Sequence, residues 1–257
     1  MASIAPKLDE AGFEAIDLVG GAVFDVCVRY LQENPWERMR IVSDWVTETP
    51  LIIHTRGQSL FTFEFFADDL VELAAACFVR NGMRYHTPYD ALNDIRNLKI
   101  PVQAGKANGL KVVPGIVFTE SPVHDDNYYA DKASQLVALG VDGIFIKDPS
   151  GLLRPERVTG LVGAIKAQIG ATRLQLHSHC LSGLAPYVAL LAVDAGVDVL
   201  HVATEPLANG ASHPSTQKMI HNLTSRGYTV PVAMEPIEQA SELIRYIARS
   251  EEHTSEL

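Results

Sequence analysis

The feature that most constrains this chain is a repeat: a helix-length stretch ends in glycine, and a short β-rich run follows. The glycines are Gly12, Gly82, Gly109, Gly140, Gly170 and Gly196, and from Gly82 onward they recur roughly every 26 to 31 residues, the length of one βα unit. The runs after them read EAIDLVGG, MRYHTPYD, LKVVPGIVFT, VDGIFIKD, ATRLQLHSH and VDVLHVAT. PLIIHTRG (50–57) is a seventh, with no glycine before it. Between them, RPERVTGLVGAIKAQIG puts Pro155 in a first helical turn and Val158, Leu161, Val162, Ile165 and Ile169 on one face. HDDNYYADKASQLVALG offers Asp125 or Asp126 as an N-cap and stops at Gly140. Strands alternating with helices imply a parallel sheet covered by helices, and the mostly apolar runs suit strands buried on both faces.

A doubly wound sheet and a (βα)8 barrel both satisfy this pattern. Polar residues separate them, because Arg56, Asp90, Lys147, His177, His179 and Thr204 fall at the carboxyl ends of successive strands. In a barrel those ends share one mouth, whereas in an open sheet they spread along an edge. No GxGxxG follows any strand, which argues against dinucleotide binding. The expectation is an α/β chain folded as a TIM barrel with seven of its eight strands.

Net charge is −10 and no basic patch is visible, which excludes nucleic acid as a natural partner. No apolar run reaches membrane-spanning length and no signal peptide opens the chain. The three scattered cysteines, Cys27, Cys77 and Cys180, suit a reducing cytoplasm better than a disulfide framework. The segment Arg249–Leu257 (RSEEHTSEL) reads like a translated sequencing-library adapter, so residues 1–248 are taken as the barrel and 249–257 as a non-native tail.

Three groups could carry chemistry. In an extended strand residues two apart share a face, so His177 and His179 point together and Cys180 points away. Two imidazoles at a strand end suit a divalent metal; the plainer alternative is one helix cap and one hydrogen-bonded core histidine. Lys147 ends GIFIKD one βα unit earlier and is expected beside them. A lysine at a buried strand end needs a partner such as Asp148, or a chemical role as Schiff-base nucleophile or as a carbamylated metal ligand. Arg56 ends PLIIHTRG, where its guanidinium could clamp a carboxylate in two-point fashion, with Asp25 of GGAVFDV to orient it. The alternative is a structural salt bridge at the barrel mouth.

The stretches GGAVFDVCVRYLQENPWERMR, RGQS, ADDLVE, DALNDIRNL, FTESPVH, IKDPSGLL and HSHCLSGLA resemble, in order and at compatible spacing, the carboxyltransferase barrel of biotin-dependent enzymes. That family contains pyruvate carboxylase, the oxaloacetate decarboxylase α subunit and the transcarboxylase subunit; the hydroxymethylglutaryl-CoA lyase superfamily is similar more remotely. The likeness runs from about Ile4 to Tyr228. It implies a divalent metal (zinc, manganese or cobalt) on carbamylated Lys147, His177, His179 and a first-strand aspartate. It implies pyruvate or oxaloacetate on Arg56, held by Asp25, with Gln58 and Asp90 as further substrate contacts. It also implies biotin on another carrier domain or subunit, a homo-oligomeric full-length enzyme and a cytoplasmic setting.

The chain departs from the family pattern in several places. Met1 aligns inside the family's first helix, so the first strand, its aspartate ligand and a pocket glutamine have no counterpart. Phe63 stands for a tyrosine, LVGG for VWGG, and GASHP for GTSQP, which places Ala211 and His213 in that motif. The family's proton-shuttling threonine would lie past Leu257, and no AMKM biotin-attachment motif occurs. A biotin-independent metal-dependent 2-oxo acid lyase or aldolase, and an inactive barrel kept for assembly, are the alternative readings.

Overall fold

In the computed structural model, which describes residues 1–254, all seven anticipated runs form parallel strands. The strands are β1 (Ile16–Val19), β2 (Leu51–Thr55), β3 (Met83–Asp90), β4 (Lys111–Val112), β5 (Gly115–Val117), β6 (Gly143–Asp148), β7 (Arg173–Ser178) and β8 (Val199–Leu200). β4 and β5 are one stave broken at Pro114, which has no N–H for the ladder. The sheet order is β1-β2-β3-β5-β6-β7-β8, with β4 also on β3, and every pairing is parallel. The architecture is therefore a TIM-barrel wall of seven staves, with β1 and β8 each paired on one side only among the described residues. At the amino-terminal end Arg173 reaches across to Glu14 with two hydrogen bonds of 2.6 and 2.8 Å.

The helices form the outer layer: α1 (Ala5–Glu10), α2 (Gly21–Val26), α3 (Pro35–Trp45), α4 (Asp68–Arg80), α5 (Arg96–Ala107), α6 (Asp126–Val137), α7 (Pro155–Ile169), α8 (Ala185–Asp194), α9 (Thr216–Ser225) and α10 (Met234–Thr254). Asp125 caps α6 by accepting from Tyr128 N, and Pro155 opens α7. All five apolar residues expected on the inner face of α7 are buried; each such burial contributes about 2 kcal/mol. Of the expected non-native tail, the last three residues, 255–257, lie outside the described residues.

Strand alternation sorts side chains into two cores. Outward residues such as Leu51, Ile53, Ile144, Ile146, Leu174 and Leu176 pack against the helices in two large clusters. Inward residues Ile52, Tyr85, Val113 and Phe145 form a small apolar plug. Gly115 makes room for Phe145: a Cβ there would lie 2.7 and 2.8 Å from two ring carbons and closer still to Cζ. The plug is the floor on which the polar residues stand.

Candidate functional site

Directly above the plug, the inward positions of four staves and the segment after β8 are polar. Register places Lys147 beside His177 and His54 beside Thr87. The ring of Phe145 lies 5.7 Å from His54, 5.8 Å from His177 and 5.7 Å from His201.

Lys147 is buried, and its Nζ lies 2.9 Å from His177 Nε2 and 4.6 Å from the centroid of Tyr89. It has no ion pair with Asp148. That neighbour points to the other face of β6, where its carboxylate accepts from Leu152 N, Leu153 N and Ser178 Oγ. Burial pushes the Lys147 pKa down to about 8, with Asp17 raising it in part and Arg56 lowering it further. At neutral pH the ammonium can only donate, so His177 Nε2 accepts. His177 Nδ1–H then donates to His201 Nδ1 at 2.9 Å, and His201 Nε2–H donates to Gln175 Oε1 at 2.9 Å. This chain of bonds fixes both tautomers. Burial, with repulsion from neighbouring cationic groups, holds His177 well below the ordinary histidine range and His201 at about 3, so both rings are neutral.

His177 and His179 share the inward face, their ring centroids 5.2 Å apart. A third imidazole joins them from the segment after β8. Cys180 N donates to Ser212 O at 2.9 Å, tying that loop to the end of β7 and bringing His213 within 4.1 Å of His177 and 4.6 Å of His179, centroid to centroid. Nitrogens of His177, His179 and His213 lie within 4.8 Å of one another, and those of His54, His177 and His201 do so as well. The donor set therefore fits a divalent metal of the borderline kind that imidazole prefers.

On the opposite wall, His54 Nδ1–H donates to Thr87 O at 3.1 Å. Its Nε2 sits 2.7 Å from Asp17 Oδ2, at ion-pair distance but off the hydrogen-bond direction. Burial alone would raise the Asp17 pKa, yet His54, His201 and Lys147 together hold it below the usual carboxylate range.

Arg56 follows β2 at the mouth. Its Nη1 donates to Phe61 O at 2.6 Å, and the guanidinium lies 4.4 Å from the centroid of the exposed Phe63 ring. Gly21 leaves room for this arrangement: a Cβ there would lie 2.7 Å from the guanidinium carbon, which would have to shift. No carboxylate pairs with Arg56 among the described residues.

Three expected site residues have other partners in this structure. Asp25, expected beside Arg56, pairs instead with Arg29 one helical turn later at 2.8 Å, and both are largely exposed. The Gln58 amide instead donates to Phe66 O and Asp68 Oδ1, both at 2.9 Å, bracing the loop into α4. Asp90 accepts from Leu92 N, Asp94 N and Asn97 Nδ2, closing the turn before α5. Thr204 shapes a turn, its carbonyl accepting from Leu207 N. Conversely, Asp17, His54, His201 and His213 belong to the site although sequence reasoning assigns them no role in it. For Asp17, His54 and His201 the available signal is a polar residue at an inward position of an otherwise apolar run; His213, outside any strand, carries no such signal.

No family model matches the chain. It is 40% identical over 228 residues to a pyruvate carboxylase subunit of Methanocaldococcus jannaschii, covering 89% of this chain and 40% of that protein. It is 36% identical over 249 residues to the corresponding subunit of Methanothermobacter thermautotrophicus, covering 97% and 44%. Identity is 34% over 230 residues to the methylmalonyl-CoA carboxyltransferase 5S subunit of Propionibacterium freudenreichii subsp. shermanii, covering 89% and 46%. The chain thus spans less than half the length of these relatives. The carboxyl transferase domain of Rhizobium etli pyruvate carboxylase, solved with oxamate and biotin, superposes with a TM-score of 0.90 at 26% identity, covering 96% of this chain and 43% of that one.

Proposed function

Because the chain belongs to the family of carboxyltransferase domains found in pyruvate carboxylases and transcarboxylase, we propose that it forms the substrate barrel of a biotin-dependent enzyme. The reaction proposed is carboxyl transfer or decarboxylation on pyruvate and oxaloacetate, through an enolate. Biotin on another domain or subunit is the carboxyl carrier.

One observation carries the reading: among the described residues Arg56 has no carboxylate partner, and it lies close enough to the buried Lys147 beside His177 to depress that lysine. An unpaired guanidinium at the mouth is a ready partner for the carboxylate of a 2-oxo acid. Lys147, carboxylated on Nζ, would hold a divalent cation together with His177 and His179. That cation supplies positive charge where enolate charge develops. The residues of the chain do the rest: Arg56 anchors and orients the substrate, and the His177–His201–Gln175 bonds keep the proton on His177 Nδ1, which leaves Nε2 for the metal. The plug that contains Phe145 closes the site from below.

A second reading, a biotin-independent 2-oxo acid lyase or aldolase, draws on Phe63, which gives the guanidinium an apolar face and no hydroxyl. Calorimetry with pyruvate and oxamate, with and without zinc or manganese, tests what both share: binding strengthened by metal. Absence of binding under every condition overturns it. Decarboxylation of oxaloacetate that accelerates with added biotin favours the first reading; indifference to biotin favours the second.

A further inference from the structure

We propose that His213 is a direct ligand of the metal centre, supplying a third imidazole beside His177 and His179. The inference rests on the metal reading above and deepens it.

The first ground is orientation. A ligating histidine is usually locked by donating its second ring N–H to a backbone carbonyl or carboxylate, which fixes the tautomer and aims the free lone pair. His213 Nδ1 faces Ser178 O at 3.0 Å, and His179 Nδ1 faces Ala211 O at 2.6 Å. A carbonyl oxygen only accepts, so both Nδ1 atoms carry the proton and both Nε2 lone pairs are left free. The two locks are reciprocal: the loop holding His213 supplies the carbonyl for His179, and β7 supplies the carbonyl for His213.

The second ground is convergence. Nitrogens of all three rings lie within 4.8 Å of one another. The loop that delivers His213 is itself anchored, by Cys180 N to Ser212 O at 2.9 Å, Asn209 N to His213 O at 2.7 Å and Ser212 N to Asn209 O at 2.8 Å. The three imidazoles thus converge from the end of β7 and from the segment between β8 and α9.

The consequence is chemical. Three neutral nitrogen donors make a softer and less anionic site than one containing a further carboxylate. Such a set selects zinc and cobalt over manganese and magnesium.

The test is titration of the purified chain with zinc and with cobalt, read by calorimetry and by the visible absorption of bound cobalt, for the parent, His213→Asn, His179→Ala and His221→Ala. Asparagine keeps a donor for Ser178 O while removing the Nε2 lone pair, and metal-free circular dichroism checks that each variant is folded. The expected result is zinc and cobalt binding by the parent that exceeds manganese binding. His213→Asn should weaken zinc affinity at least about tenfold, since even outer partners of a ligand are worth 10–100-fold, and should alter the cobalt spectrum. His221, exposed on α9, should change neither. A folded His213→Asn with parental zinc affinity and an unchanged cobalt spectrum overturns the inference while leaving the metal reading intact. A parent that binds neither metal overturns both.

Discussion

Nζ of Lys147 and Nε2 of His177 lie 2.9 Å apart on adjacent staves, in register, with the remaining nitrogen of His177 engaged by His201. The lysine has no carboxylate partner within ion-pair distance among the described residues, so its amine can be replaced or modified without breaking a salt bridge.

The first prediction follows. Incubation with carbon-13 bicarbonate and zinc should give a carbamate resonance that is absent from Lys147→Met. The variant should bind zinc at least about tenfold more weakly. A resonance that persists in the variant would place the modification elsewhere.

Arg56 gives the second prediction. Its fork already uses Nη1 on Phe61 O and lies on Phe63, and a lysine ammonium can reproduce neither arrangement together with a two-point carboxylate contact. Arg56→Lys should lower oxamate affinity roughly tenfold, about 1.4 kcal/mol, in calorimetry. Equal affinity would remove Arg56 from the substrate site.

Much of this was legible in the sequence because period and punctuation are local signals. All six repeat glycines have positive φ, and each anticipated run became a strand. Lys147, His177 and His179 were legible because they end apolar runs. What was not legible depended on the third dimension. Asp25 lies four residues before Arg29 on a continuous helical turn, and that local pair wins over the longer reach to Arg56. His213 sits in a loop with no strand period, so only the closure of that loop onto Cys180 brings it to the other imidazoles. His54 and His201 required knowing which alternate residues face inward. Gln58 and Asp90 belong to the motifs themselves, but their side chains hold the loop into α4 and the turn before α5.

The third prediction concerns the plug. A methyl on Gly115 would overlap the ring of Phe145, which is fully buried and touches His54, His177 and His201. The ring cannot swing aside without displacing an imidazole. Gly115→Ala should therefore cost about 1–3 kcal/mol in urea unfolding, the range for overpacking a filled core, and should also weaken zinc binding. Loss of stability with unchanged zinc affinity would show that the plug does not position the site.

The fourth prediction concerns acid. His86 faces outward from β3, buried against Phe78, with Nε2 2.8 Å from Thr55 Oγ1. Burial, with a smaller push from His54 and a partial offset from the Pro101 carbonyl, lowers its pKa to about 3. The folded value thus lies below the unfolded one, so the unfolded chain takes up this proton first as pH falls. Stability from this group is fully present above pH 6.5, declines below it and levels off near pH 3. At pH 5 the loss relative to pH 7 is about 2 kcal/mol from His86 alone. Asp17, whose pKa is also depressed, loses its contribution in the same direction but at lower pH. His86→Phe removes the titrating ring and leaves Thr55 Oγ1 without it, a fixed cost that does not vary with pH. Urea unfolding of both proteins at pH 7 and pH 5 should therefore show a smaller pH difference in the variant, by about 2 kcal/mol. Equal pH differences would mean that His86 keeps an ordinary pKa in the folded protein, and that its surroundings admit water.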